Sequence, residues 1–331
     1  MSMDVIGPEA EACLSWDGLV QALIAGHDLP RAAIADTFLY RGQDTQLNRA
    51  AWIDGLGQLV KTATIFPGNP AQGKPTVNGG VCLYGDATGE LEAVIDFHLV
   101  TKWKTAGDSL LSARQLARPD SRNILIVGAG TVARSMVEAY RSAFPQAQFT
   151  FWNRSPAGAA ALAAATGGIA TADLEQAVRQ ADIIATATMS HDPLVLGDWL
   201  QPGTHLDLIG AYRPDMREVD DTALTRARIF VDSRATTIAH IGELKDPIAR
   251  GVISESDVLA DFYDLAKGTY DRRSPADITL AKNGGGAHLD LMTAAYILAA
   301  WRGRTSDLSQ LAIGDVQAIG QPSLLPPTSP E

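Results

Sequence analysis

The stretch Asn123-Ile124-Leu125-Ile126-Val127-Gly128-Ala129-Gly130-Thr131-Val132-Ala133 constrains this chain more than any other. Ile124 to Val127 form an apolar run with branched side chains, the pattern of a parallel strand buried on both faces. A glycine turn follows at once. Arg134 to Phe144 then continues as a helix, with Val132, Met136, Val137 and Tyr140 at helical spacing, and Thr131 and Val132 before it are counted with the cofactor residues. Strand, tight turn and helix are the context in which a G-x-G-x-x-A string reads as a dinucleotide fingerprint. Gly128 permits the sharp turn. Gly130 lets the backbone approach a pyrophosphate that a Cβ would strike. Ala133 allows the helix to pack closely on the strand, and the helix N-terminus turns free N–H groups toward the phosphates.

A second strand, Gln148 to Trp152, ends in Asn153-Arg154-Ser155, where Asn153 stands 153 − 130 = 23 positions after the middle glycine. An NAD-selective site carries an acid about 20 residues on, to bind the ribose 2′-hydroxyl. None is present here. Arg154 can form charge-assisted bonds to a 2′-phosphate, and Asn153 and Ser155 can donate hydrogen bonds to it. The expected cofactor is therefore NADP(H), with NAD(H) as the alternative.

From Asn123 onward strands and helices alternate, as a doubly wound parallel sheet requires. Ile183 to Thr188, His205 to Ile209, Arg228 to Val231 and Ile278 to Leu280 read as further strands. Thr188, at the end of the first of these, is counted with the cofactor residues. The preceding part differs. After a helix from Ser15 to Gly26, short strands between Thr37 and Asp96 read as an antiparallel meander. Leu99 to Ala117 and Leu289 to Trp301 read as helices. The expected architecture is α/β: a Rossmann-type nucleotide domain, residues 118–289, inserted into an α+β, β-rich domain formed by residues 1–117 and 290–319. The proline-rich residues 320–331 read as a tail.

The chain has 331 residues and a formal net charge of −11, without a basic run. Binding to nucleic acid or to an anionic membrane by general electrostatics is therefore disfavoured. No stretch approaches the roughly 18 apolar residues of a membrane helix. Cys13 and Cys82 are the only cysteines and have no histidine at ligand spacing, so no metal site is expected. A reduced, cytoplasmic setting fits this usage.

Four separate strings make the chain resemble the ornithine cyclodeaminase and mu-crystallin family. They are Lys61-Thr62-Ala63-Thr64-Ile65-Phe66-Pro67-Gly68-Asn69, Asp86-Ala87-Thr88-Gly89-Glu90-Leu91, Leu116 to Arg122 running into the glycine turn, and Ile209-Gly210-Ala211-Tyr212-Arg213-Pro214-Asp215-Met216-Arg217-Glu218. The resemblance covers about Pro30 to Trp301. It implies a homodimer built through the β-rich domain, with a small amino or imino acid held over the nicotinamide.

On that resemblance Arg31 looks like the family's carboxylate-binding arginine, with Arg41 as its rival. Lys61, inside an apolar strand, lies at the substrate, since a lysine there is costly unless it meets an anion. Thr76 matches a position that hydrogen-bonds substrate. Lys104 stands where the family commonly has arginine, which keeps the charge but loses the planar fork. Asp215 matches the catalytic aspartate, the acid or base for the substrate nitrogen. The implied activity is NADPH-dependent reduction of a cyclic α-imino acid such as Δ1-pyrroline-2-carboxylate. The alternatives are ornithine cyclodeamination with NAD, or cofactor-dependent binding of a small molecule without turnover.

Overall fold

The computed structural model describes residues 3–303. The proline-rich end lies outside the described residues. Two sheets organise the chain, one of six strands and one of eight.

The first part runs β1 (Asp4–Ile6), α1 (Trp16–Asp28), β2 (Ala33–Arg41), β3 (Asp44–Ile53), β4 (Gly57–Ile65), β5 (Val77–Tyr84), β6 (Leu91–Asp96) and α2 (Phe97–Leu116). Strands β2 to β6 form the expected antiparallel meander, in the order β6-β5-β4-β3-β2. The N-terminus adds a strand the sequence did not announce: β1 pairs parallel with β6, Val5 opposite Val94. Three residues are too few for a periodicity signal. Ser15 caps α1 by accepting from Gly18 N, and Asp96 caps α2 by accepting from Leu99 N.

The second part runs β7 (Asn123–Val127), α3 (Thr131–Ala143), β8 (Gln148–Trp152), α4 (Pro156–Thr166), β9 (Ile169–Ala170), α5 (Leu174–Gln180), β10 (Ile183–Thr186), β11 (His205–Leu208), α6 (Asp221–Arg226), β12 (Arg228–Val231), α7 (Arg234–Thr237), α8 (Gly242–Ala249), β13 (Val258–Ala260) and β14 (Thr279–Lys282). Its strands are all parallel, in the order β13-β12-β14-β11-β10-β7-β8-β9. The order reverses direction beside β7. Such a switch point opens a crevice at the carboxyl ends of the strands, where a doubly wound sheet takes its ligand.

The last helix, α9 (Ala287–Trp301), returns to the first sheet and packs on α1, α2, β3 and β4. It shows no amphipathic stripe because nearly all of it is covered: from Ala287 to Ala299 every residue is buried. The loop from β14 into α9 therefore joins the carboxyl edge of the parallel sheet to the inner face of the meander. That loop carries the candidate site.

Candidate active site

The groove expected to hold the dinucleotide has the required local geometry. Gly128 adopts φ +120°, and a Cβ on it would lie 2.6 Å from the Ala187 carbonyl oxygen. Gly130, the N-cap of α3, is exposed, and a Cβ there would meet nothing of the protein within 4 Å. No side chain caps that helix, so its first N–H groups are unclaimed. Ala133 is fully buried against the strand. Thr131 is exposed and Val132 half-buried at the same mouth. Asn153, Arg154 and Ser155 leave the end of β8, Arg154 and Ser155 exposed. Asn153 donates to the Ser155 carbonyl at 3.0 Å, which shapes the turn. These residues fit a dinucleotide.

Thr188 is held from below. Its N–H and hydroxyl both donate to Glu218 Oε1, at 2.8 and 2.7 Å, while Gly210 and Ala211 donate N–H groups to Glu218 Oε2 at 2.9 and 3.0 Å. One buried carboxylate thus locks the loops after β10 and β11 together. Glu243 accepts the N–H groups of Glu218 and Val219, and burial pushes its carboxyl up to about 7.

Across from that groove lies a buried group of charges. Lys61 Nζ donates to Asp290 Oδ1 and to Thr101 Oγ1, both at 2.8 Å. Arg49 pairs directly with Lys61 across the β3–β4 ladder. Its guanidinium chelates Asp36 and sends Nη1 to the Gly285 carbonyl at 2.8 Å, with Asp290 Oδ2 at 4.0 Å. Lys104 Nζ donates to the same carbonyl at 3.0 Å. The Gly285 N–H, in turn, donates to Asp232 Oδ2 at 2.6 Å. Arg49 from β3 and Lys104 from α2 therefore converge on the loop that leaves β14, and Lys61 from β4 on Asp290 in the helix that follows it.

Electrostatics follow from this burial. Desolvation pushes Lys61 down, helped by Lys104 and Arg49 and opposed by Asp290. Burial would raise Asp290, but Lys61, Lys104 and Arg49 together hold it below the usual carboxylate range. Its Oδ2 has no hydrogen-bond partner among the described residues. His288, fully buried, has both ring nitrogens unpartnered among them, and burial with Lys104 beside it lowers it to about 3. It is a neutral ring facing a cationic recess. Arg49, Lys61 and Lys104 surround Asp290, with Asp36 chelating Arg49 from the outer side, and such a cluster of cations can accept a further carboxylate.

The sequence-derived residues separate into those inside this recess and those outside it. Lys61 and Lys104 are inside. Arg31 is not: its side chain is 58% exposed, lies 3.6 Å from Asp261 and stacks over the Tyr263 ring at 4.1 Å. Arg41 is further out, bonded to Asp44 at the β2–β3 turn. Arg49 is the arginine that reaches the recess. The signal for it was present: Leu47, Arg49, Ala51 and Ile53 alternate along one strand, which puts an arginine in an inward column. Thr76 lies just before β5, where its carbonyl accepts the Phe66 N–H, and its side chain makes no hydrogen bond to the recess among the described residues. Asp215 is half-exposed on the loop after β11. Both its oxygens accept from Arg213, at 3.0 and 2.9 Å, and His191 lies 3.4 Å away. Asp290 and Asp108 were not singled out, because a helix aspartate in sequence resembles any surface acid.

Fold and site together join a Rossmann-type parallel sheet to a second sheet that carries a cluster of buried cations. The chain belongs to the ornithine cyclodeaminase/mu-crystallin family, which it matches over residues 54–305. It is 52% identical over 296 residues to a Delta(1)-pyrroline-2-carboxylate reductase of Paracoccus denitrificans, covering 87% of this chain and 94% of that protein. It is 30% identical to the ketimine reductase mu-crystallin of Rattus norvegicus, covering 73% of this chain and 75% of the relative. Among solved structures it superposes on an archaeal alanine dehydrogenase dimer with bound NAD at a TM-score of 0.82, with 28% identity, covering 92% of this chain and 97% of that one.

Proposed function

We propose that this protein reduces a cyclic α-imino acid, Δ1-pyrroline-2-carboxylate or a close ketimine analogue, to the L-amino acid with NADPH. The observation that carries the reading is the gathering of three cations beside the carboxyl edge of the parallel sheet, Arg49 and Lys104 on the Gly285 carbonyl and Lys61 on Asp290. The 52% relative named for this reaction supports it. Residues 118–289 form the cofactor domain in this reading, and residues 1–117 with 290–319 form the substrate and dimerisation domain.

A bound, reduced nicotinamide supplies hydride to the imine carbon. The protein's own residues do the rest. Lys61, Lys104 and Arg49 fix the substrate carboxylate, which sets the orientation of the C=N bond. Of the sequence candidates, Arg31 and Thr76 lie outside the cation cluster and would contact the substrate from its rim. Gly128, Gly130, Thr131 and Val132 cradle the phosphates, Thr188 bounds the nicotinamide end, and Asn153, Arg154 and Ser155 hold a 2′-phosphate. Asp215, the sequence candidate for the acid, would first have to leave Arg213.

The test is absorbance of the reduced cofactor after mixing the protein with NADPH and pyrroline-2-carboxylate, with ornithine plus NAD+ run in parallel. Loss of NADPH with formation of proline is expected. Proline and ammonia from ornithine, without loss of NADPH in the first mixture, would overturn the reading.

The functional unit in this reading is a homodimer. Strand β2 is an edge strand, and all nine of its residues are exposed, including Phe38, Leu39 and Tyr40. A long apolar edge is a liability unless something covers it, and a second copy is the simplest cover. Leu39→Asp with Tyr40→Asp is expected to halve the mass seen by sedimentation equilibrium. An unchanged mass would place the contact elsewhere.

A further inference from the structure

We propose that Asp108 carries the proton that the substrate nitrogen takes up during reduction. This rests on the imine-reduction reading above. Thr101, Lys104 and Asp108 lie three and four residues apart on α2, so they line one face of that helix. The first two already belong to the recess: Thr101 accepts from Lys61, and Lys104 donates to Gly285. Asp108 is the next group along the same stripe. It is fully buried, and neither of its oxygens has a hydrogen-bond partner among the described residues.

Two neighbouring acids show how different that is. Asp207 accepts from Tyr140 Oη and from Asn283 Nδ2. Asp232 accepts from the N–H groups of Gly285 and Ser233 and from the Thr237 hydroxyl. Both are supplied with donors, as a buried carboxylate must be. Asp108 has none, so the form it favours is the neutral acid, which needs no donors and has a proton to give. The groups that face it come from every surrounding element: Lys104 on its own helix, Asp207 on β11, Asp232 after β12, Lys282 on β14, Tyr140 on α3 and Tyr270. Burial, with Asp232 and Asp207 beside it, pushes Asp108 well above the usual carboxylate range, against the pull of Lys104 and Lys282.

The step balances. The imine carbon takes the hydride, the C=N pair closes on nitrogen, and the nitrogen takes the Asp108 proton, so C=N becomes CH–NH. Asp108 is left as a carboxylate near Lys104 and Lys282, which lowers the cost of the charge, and water reprotonates it when product leaves. Asp215 is held by Arg213 on an exposed loop.

The test has two arms on the full-length protein. Infrared difference spectra of wild type and Asp108→Asn, at neutral pH without substrate, are expected to show a protonated-carboxyl band that the substitution removes. Steady-state kinetics with NADPH and pyrroline-2-carboxylate are expected to show kcat about 10²-fold to 10⁴-fold lower in Asp108→Asn. In that variant the alkaline limb of the kcat profile is lost and NADPH binding, read by fluorescence, is unchanged. Asp108→Glu, which keeps the acid, should restore both the band and the alkaline limb, and it serves if the asparagine variant does not fold. Wild-type turnover without the band, or with kcat unchanged in Asp108→Asn, would overturn the assignment. A band without any imine reduction would instead sink the underlying reading, and the proposal with it.

Discussion

Lys61→Met is expected to lose imine-reducing activity and to unfold at a markedly lower denaturant concentration than wild type. Two effects act together. Lys61 is 6% exposed and bonded to Asp290, which has no exposure at all. Removing the lysine leaves a buried carboxylate with only Arg49, 4.0 Å from its other oxygen, and Lys104 nearby. Breaking a buried pair from one side typically costs about 3–5 kcal/mol. Catalysis suffers separately, because the substrate carboxylate loses one of its cations. The double variant Lys61→Met, Asp290→Leu distinguishes the two effects. Replacing both partners with apolar groups removes the unpaired charge, so urea denaturation should return most of the stability. Activity should stay lost. If the double variant recovers turnover, Lys61 is a structural partner of Asp290 and nothing more.

The second large effect concerns the cofactor. Arg154→Ala is expected to raise the KM for NADPH roughly 10-fold to 100-fold, the size of a lost charge-assisted contact. KM for NADH should change little, since NADH has no 2′-phosphate to lose. Arg154→Asp should go further, repelling the phosphate and offering an acceptor to the ribose hydroxyls. The physical basis is local: Arg154 and Ser155 are exposed at the end of β8, beside the half-buried Asn153, with no acid among the three. Equal KM changes for both cofactors would show that Arg154 does not read the 2′ position. Neither variant should alter thermal stability, because the substituted side chain is on the surface.

How much of this was legible in advance depends on the range over which each feature is encoded. The β7–α3 unit was readable because everything it needs is contiguous. Apolar branched residues make the strand, glycines allow the turn, and the helix starts where the backbone N–H groups must point at phosphate. Gly128 at φ +120° and the open face of Gly130 follow from the residue types themselves. The meander was readable for the same reason, while β1 was not, since three residues pairing with a strand some ninety positions away leave no local pattern.

The pocket is the opposite case. Lys61 was visible as a lysine in an apolar strand. Its counter-ion, Asp290, comes from the last described helix, 229 positions later. Arg31 and Arg41 drew attention through their place in the chain, yet the arginine that reaches the recess is Arg49, brought opposite Lys61 by the β3–β4 register. Asp108 looks in sequence like an ordinary helix acid. Only the packing of α2 between the two sheets strips it of water and of donors. The chain's residues by themselves determined the type of fold and the family, because those depend on short-range pattern. Which charges meet, and which of them lose their solvent, was decided by tertiary structure, because burial and pairing are properties of distant segments brought together.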